Sequence, residues 1–211
     1  MKIAVISETS AGDRNQDILA ALQGYGHEVI NAGMNKSGAK PELSYIHTGL
    51  MSAILLNAGV VDFVVGGCGT GQGFLNSVMQ YPGISCGLII SPLDAWLFTQ
   101  INGGNCVSLA LNQGYGWAGE INLRFIFEKI FSVERGAGYP EHRREAQRMS
   151  RLLLNKINQV THREMSEIID QIPEEVILPV ITYPGFIDLL ESSSIMDKNI
   201  LNALQRRKAT D

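Results

Sequence analysis

The fold is decided by residues 60 to 80, VVDFVVGGCGTGQGFLNSVMQ, with Val60 at the start and Gln80 at the end. Val60 to Val65 is a nearly unbroken apolar run, as expected of a strand in a parallel sheet that is covered on both faces. Eight residues follow, Gly66-Gly67-Cys68-Gly69-Thr70-Gly71-Gln72-Gly73, and then a helical stretch from Phe74 to Gln80. A strand, a glycine-rich loop and a helix in that order form the first half of a β-α-β unit. In open α/β sheets, ligands bind outside the carboxyl ends of the strands, where this loop lies. Its glycines expose backbone N–H groups beside a helix N-terminus, which is an anion site by geometry and by dipole.

The alternation extends to either side. Lys2 to Ile6, Glu28 to Ala32, Cys86 to Ile90 and Cys106 to Ala110 read as further strands. Asp13 to Leu22, Tyr45 to Asn57, Pro92 to Gln100 and Gly119 to Phe131 read as helices, with a polar loop at 35–43. Such repeats predict an α/β fold: a doubly wound, Rossmann-like parallel sheet with helices on both faces. Residues 1–144 form this domain. Residues 145–211 lack strand alternation and read as a helical C-terminal extension, with helices at 147–160, 163–171 and 196–207 and Pro173, Pro179 and Pro184 between them. This tail is expected to pack on the sheet or on a second subunit.

Composition narrows the function classes. Among 211 residues, 45% are hydrophobic and 18% charged, which fits a globular protein rather than a disordered one. A net charge of −4 argues against a nucleic-acid surface. No apolar stretch approaches a membrane span, and the start of the chain lacks the pattern of a secretory signal. Three cysteines, Cys68, Cys86 and Cys106, fit no disulfide or zinc spacing, so a reduced, cytoplasmic setting is expected. No His/Asp/Glu cluster has metal-ligand spacing, and neither a metal nor a cofactor is expected.

The loop itself has several readings. Gly67-x-Gly69-x-x-x-Gly73 lacks the dinucleotide-binding spacing, and no acidic ribose ligand is evident; no Lys follows the last glycine, so a P-loop is poorly supported. A tight turn with no ligand stays open. Cys68 makes the loop more specific, because a thiol among glycines at a helix N-terminus can ionise near neutral pH and act as nucleophile or general base. Cys86 and Cys106, inside apolar strands, read as small buried hydrophobes. None of the four histidines sits in a Cys/His signature.

Lys2-Ile3-Ala4-Val5, Gly67 to Gly73, Pro82-Gly83-Ile84 and Asn102-x-x-Asn105-Cys106-Val107-Ser108-Leu109-Ala110 together resemble the ribose-5-phosphate isomerase B / galactose-6-phosphate isomerase family. The resemblance covers roughly residues 1–143. It implies metal-free aldose–ketose interconversion through a cis-enediolate. Cys68 would move the proton, and the amides of Gly69, Thr70, Gly71 and Gly73 would hold the enediolate oxygen with help from the Thr70 side chain. Asn102 would contact the sugar. The family's dimers and tetramers imply a homodimer or homotetramer with sites near subunit interfaces.

Four positions depart from the family. Its Asp-His pair is here Glu8-Thr9, its ring-opening histidine is Ile101, and of its two phosphate-binding arginines the first falls on Tyr139 and the second on Arg143. Glu8 becomes the candidate second acid–base group, and Tyr139 and Arg143 the candidates for holding the substrate's far end. These departures, with Gln100 to Asn105, Gly114 to Trp117 and Gly138 to Pro140, look like the branch acting on 4-deoxy-L-threo-5-hexosulose uronate. That open-chain substrate already carries free carbonyls, and its single carboxylate asks for fewer cations than a phosphate. A sugar-phosphate isomerase in which Arg135, Arg144 and Lys36 supply charge is the first alternative. A non-catalytic sugar- or anion-binding protein is the second.

Overall fold

The structure, a computed structural model, describes residues 1–194 and 196–209. Five strands, β1 (Lys2–Ser7), β2 (Glu28–Asn31), β3 (Phe63–Cys68), β4 (Cys86–Ile89) and β5 (Cys106–Ala110), form one parallel sheet in the order β2-β1-β3-β5-β4. On one face lie α2 (Tyr45–Asn57) and α3 (Gln72–Val78), packed on Ala4, Ile6 and Val64. On the other lie α1 (Asn15–Ala21), α4 (Pro92–Leu97) and α5 (Gly119–Phe131), packed on Ile3, Val5, Val65, Val107 and Leu109. Alternate residues of each strand point to opposite faces, which sorts the apolar runs into two cores.

The central strand runs three residues further than the sequence suggests. Gly66, Gly67 and Cys68 belong to β3 and pair with Ser108, Leu109 and Ala110 of β5. Their reason is closeness of packing rather than a turn. A Cβ on Gly66 would be driven into the ring of Phe74, and one on Gly67 into the carbonyl oxygen of Leu109. The turn proper is only Gly69-Thr70-Gly71, with Gly71 in the left-handed region at φ 75° capping α3.

The tail holds α6 (Arg144–Thr161), α7 (Met165–Gln171), α8 (Glu174–Ile181), α9 (Phe186–Glu191) and α10 (Lys198–Ala209). The stretch that holds the three prolines, between the expected helices, forms two further helices, and Pro179 lies inside α8. A proline at this position cannot donate to the Glu175 carbonyl one turn earlier; His47 of α2 fills the gap, its Nε2 lying 3.2 Å from that oxygen. Ile169, Ile177, Val180, Phe186, Leu190 and Leu204 are buried in the same core as α2. The tail thus completes one face of the sheet. α6 is the exception. It buries none of its residues, and Met149, Leu153, Ile157 and Val160 form an exposed apolar stripe at helical spacing. Among the described residues no helix is long and apolar enough to cross a membrane.

Candidate active site

Cys68 ends β3 at the carboxyl edge of the sheet and is 5% exposed. Its Sγ lies 4.0 Å from Thr70 Oγ1. Thr70 Oγ1 accepts the Gln72 amide at 3.3 Å, which leaves its own proton free to point at the thiol or at a ligand. The loop is tied down from β5: the Leu111 amide donates to the Cys68 carbonyl at 3.0 Å, the amides of Asn112 and Gln113 to the Gly69 carbonyl, and Ser108 Oγ to the Gly71 carbonyl at 2.6 Å.

The four loop amides expected to bind an anion divide into two pairs. Gly69 donates to Ser10 Oγ at 3.0 Å and Gly71 donates to the Cys68 carbonyl at 3.2 Å, so both are occupied within the chain. The amides of Thr70 and Gly73 have no partner among the described residues. Gly73 stands in the first turn of α3, where N–H groups lack an intrahelical acceptor. The ring of Tyr45 closes over it: a Cβ on Gly73 would come 3.0 Å from that ring.

Glu8 follows β1 at the same edge and is 3% exposed. Its two oxygens are held by one residue, Oε1 by the Ser10 hydroxyl in a short bond and Oε2 by the Ser10 amide at 3.0 Å. Asn112 Nδ2 in turn donates to the Ser10 carbonyl at 2.8 Å. Beneath them, buried Asn15 donates to Ser7 Oγ at 3.2 Å and exchanges hydrogen bonds with Asn31, which locks the ends of β1 and β2. A buried carboxyl group is tolerated when its acceptors are satisfied in this way. Ser10 and Asn112 were not among the sequence candidates. Small polar residues in loops carry no signal until the sheet brings β1 and β5 to either side of β3.

Asn102, Tyr139 and Arg143 lie elsewhere. Asn102 ends a π-helical turn, Phe98–Asn102, ahead of β5, and is exposed. Since Val64 pairs with Cys106 and Cys68 with Ala110, that end of β5 is about 13 Å from Cys68 along the strands. Gly136 and Gly138 bind back to Thr99 and Gln100, both at 2.8 Å, and Arg151 bonds the carbonyls of Ile101 and Gly136, which places the 136–139 segment beside Asn102. Tyr139 packs edge-on to Trp96 at 4.8 Å, with its backbone held by Gln147. Arg143 is exposed and its side chain has no partner among the described residues. Within one chain the nine candidate residues therefore form two groups. Glu8, Cys68, Gly69, Thr70, Gly71 and Gly73 stand at the carboxyl edge; Asn102, Tyr139 and Arg143 stand at the opposite end.

The other two cysteines face each other across β4 and β5. Burial and the neighbouring Cys86 push the Cys106 thiol well above its ordinary range, which fits a structural role. Among the described residues, no three His, Cys, Asp or Glu side chains gather so as to hold a metal ion.

A parallel α/β sheet with a buried thiol, a buried carboxyl group and uncommitted amides at one strand-end cluster defines an enzyme-like site of the open-sheet class. The ribose/galactose isomerase family model matches residues 3–147. The chain belongs to that family and is a sugar isomerase. It is similar to the solved 4-deoxy-L-threo-5-hexosulose-uronate ketol-isomerase complexed with a tartrate, with 36% identity over 99% of this chain and 100% of that one and a TM-score of 0.93. It is also similar to a ribose-5-phosphate isomerase from Vibrio parahaemolyticus, with 39% identity over 99% and 98% of the two chains and a TM-score of 0.90. A ribose 5-phosphate isomerase from Thermotoga maritima shares the fold at 24% identity, over 69% and 96% of the two chains, with a TM-score of 0.56. No curated protein matches.

Proposed function

We propose that the chain is a ketol isomerase in which Cys68 is the base and the substrate is a 4-deoxy-5-keto hexuronate. The observation that carries the reading is the pairing of the Cys68 thiol with the two uncommitted amides of Thr70 and Gly73. The thiolate takes a proton from the hydroxyl-bearing carbon beside the carbonyl and returns it to the former carbonyl carbon. Between the two steps, charge sits on the enediolate oxygen, where preorganised N–H donors stabilise it most. The Thr70 hydroxyl adds a third donor. Glu8 carries the remaining proton between the two oxygens, so that no net proton is gained or lost. No metal or cofactor enters this scheme.

The substrate follows from the departures. With Ile101 in place of a ring-opening histidine, an open-chain dicarbonyl suits the site better than a cyclic sugar phosphate. With Tyr139 and a single unpaired Arg143, one carboxylate is matched better than a phosphate dianion. The likeness to a uronate isomerase that holds tartrate, a hydroxy dicarboxylate, supports the same choice. Arg143, Tyr139 and Asn102 cannot reach Cys68 of their own chain. In a homodimer or a larger homo-oligomer a second copy supplies them, and the bare apolar stripe of α6 is the surface that would bury against it. The likeness to the Vibrio enzyme favours ribose 5-phosphate as the competing substrate. Of the cations that reading would enlist, Arg144 is 3.7 Å from Glu141 and Arg135 lies at the far end of β3.

Proton NMR in deuterium oxide, with ribose 5-phosphate and the 4-deoxy-5-keto uronate in parallel, tests the assignment. Turnover of the uronate with deuterium entering the substrate is the expected result. Turnover of the pentose phosphate alone would replace the substrate assignment. Binding of either compound without exchange would leave a sugar-binding protein on an isomerase scaffold.

A further inference from the structure

At the end of the sheet away from Cys68, a cavity of about 290 Å³ opens among Tyr25, His27, Phe63, Phe131 and Arg135. Phe63 begins β3, five residues before Cys68, so the cavity is about 16 Å from the thiol. Its walls are aromatic. Tyr25 and Phe131 meet at 4.9 Å between ring centres, His27 sets its edge on Phe131 at 4.5 Å, and the Arg135 guanidinium lies 5.5 Å above the ring of Phe63.

The polar groups here are unfinished. Arg135 Nε and His27 Nε2 are buried and have no hydrogen-bond partner among the described residues. The Arg135 guanidinium makes neither a hydrogen bond nor an ion pair among the described residues. Asp62, the nearby acid, spends its carboxylate on the Lys2 amide at 2.8 Å. Burial lowers the guanidinium below its usual range, against a smaller opposing pull from Asp62. Burial, and then the Met1 ammonium, lowers His27 below its ordinary value. Asp62 acts on the guanidinium only through space and Glu128 faces Tyr25, so a half-buried cation that rests on a ring face, with no hydrogen-bonded acceptor among the described residues, has donors left for an anion. A mostly apolar pocket with a few converging polar groups is the usual form of a small-ligand site.

We infer that this cavity is a second ligand site, separate from the Cys68 cluster of its own chain and from the Arg143 position, which takes a small carboxylate with a flat apolar body. The carboxylate sits on the outer nitrogens of Arg135, and the body lies between Phe63 and the Tyr25–Phe131 pair. A hydrophilic dianion such as phosphate would fill the charge but leave the rings uncovered.

Titration calorimetry on the full chain with benzoate, acetate and inorganic phosphate tests the inference. Benzoate is expected to bind with a dissociation constant on the order of millimolar or below. Arg135→Gln should weaken it roughly tenfold or more. Arg135→Lys, which keeps the charge and guards against a folding artefact, should weaken it less. Arg143→Gln should leave it unchanged. The inference is overturned if benzoate fails to bind at millimolar concentrations, if neither Arg135 variant alters its affinity, if Arg143→Gln abolishes binding, or if phosphate binds as tightly as benzoate.

Discussion

The hydroxyl of Ser10 lies 3.0 Å from the amide nitrogen of Gly69 and accepts its proton, while its own proton goes to Glu8. One side chain thus joins the buried carboxyl group to the loop residue next to Cys68. Ser10→Ala removes both bonds at once. A hydrogen bond to a buried carboxyl group is worth about 1–3 kcal/mol, so kcat should fall roughly five- to hundredfold. Ser10→Thr, which restores the hydroxyl, should recover most of it. A pure packing role predicts instead a lower melting temperature with unchanged kcat, and steady-state kinetics beside thermal melts distinguishes the two.

Cys68→Ala should fold normally, because it removes one sulfur atom from the edge of the core, and should lower turnover by roughly a thousandfold or more. Cys86→Ala should leave turnover close to wild type. Near-normal activity in the Cys68 variant would take the thiol out of the mechanism.

Gly67→Ala is expected to destabilise the chain by about 1–3 kcal/mol. The new Cβ would collide with the Leu109 carbonyl, a backbone group in a paired strand that cannot rotate away. Gly114→Ala has no neighbour to meet but sits at φ 71°, so its cost should be confined to about 1 kcal/mol of backbone strain. Denaturant midpoints for the two variants measure the contrast.

Acid should weaken the fold through His27. Its folded pKa is lowered by burial and then by the Met1 ammonium, so below the unfolded value the unfolded chain binds the proton more readily. Stability then rises with pH in this window: it is fully present above about 6.5 and is lost as pH falls from there towards the lower folded value. His27→Phe removes the titrating group. Melting curves at pH 7.5 and 5.5 should show a smaller loss in the variant than in the wild type; equal losses would exclude His27 as the cause.

The stripe on α6 gives a test of assembly. Leu153 and Ile157 are 54% exposed each, which is costly for large apolar side chains left in water. The double variant Leu153→Glu, Ile157→Glu should elute as a smaller species on size-exclusion chromatography with multi-angle scattering. It should lose activity in proportion if Arg143 acts across a subunit boundary. An unchanged mass would remove α6 from the interface.

Much of this protein is legible along the chain. Apolar runs of strand length separated by helical periods determine a parallel sheet covered on both faces, because backbone pairing and side-chain alternation leave no other way to bury them. The loop around Cys68 marks one strand end by its glycines alone. The sequence also leaves ambiguities of a definite kind. Gly66 and Gly67 look like turn residues, but the ring of Phe74 and the carbonyl of Leu109, distant in sequence, make them strand residues. Pro179 looks like a helix breaker, but His47 from another helix takes up the carbonyl it strands. Ser10 and Asn112 have no motif, and become part of the site only when β1 and β5 flank β3. Local composition acts over a few residues and sets the elements. Which free amide meets which hydroxyl depends on strand order and register, and only tertiary structure, which brings residues dozens of positions apart within 3 Å, decides that.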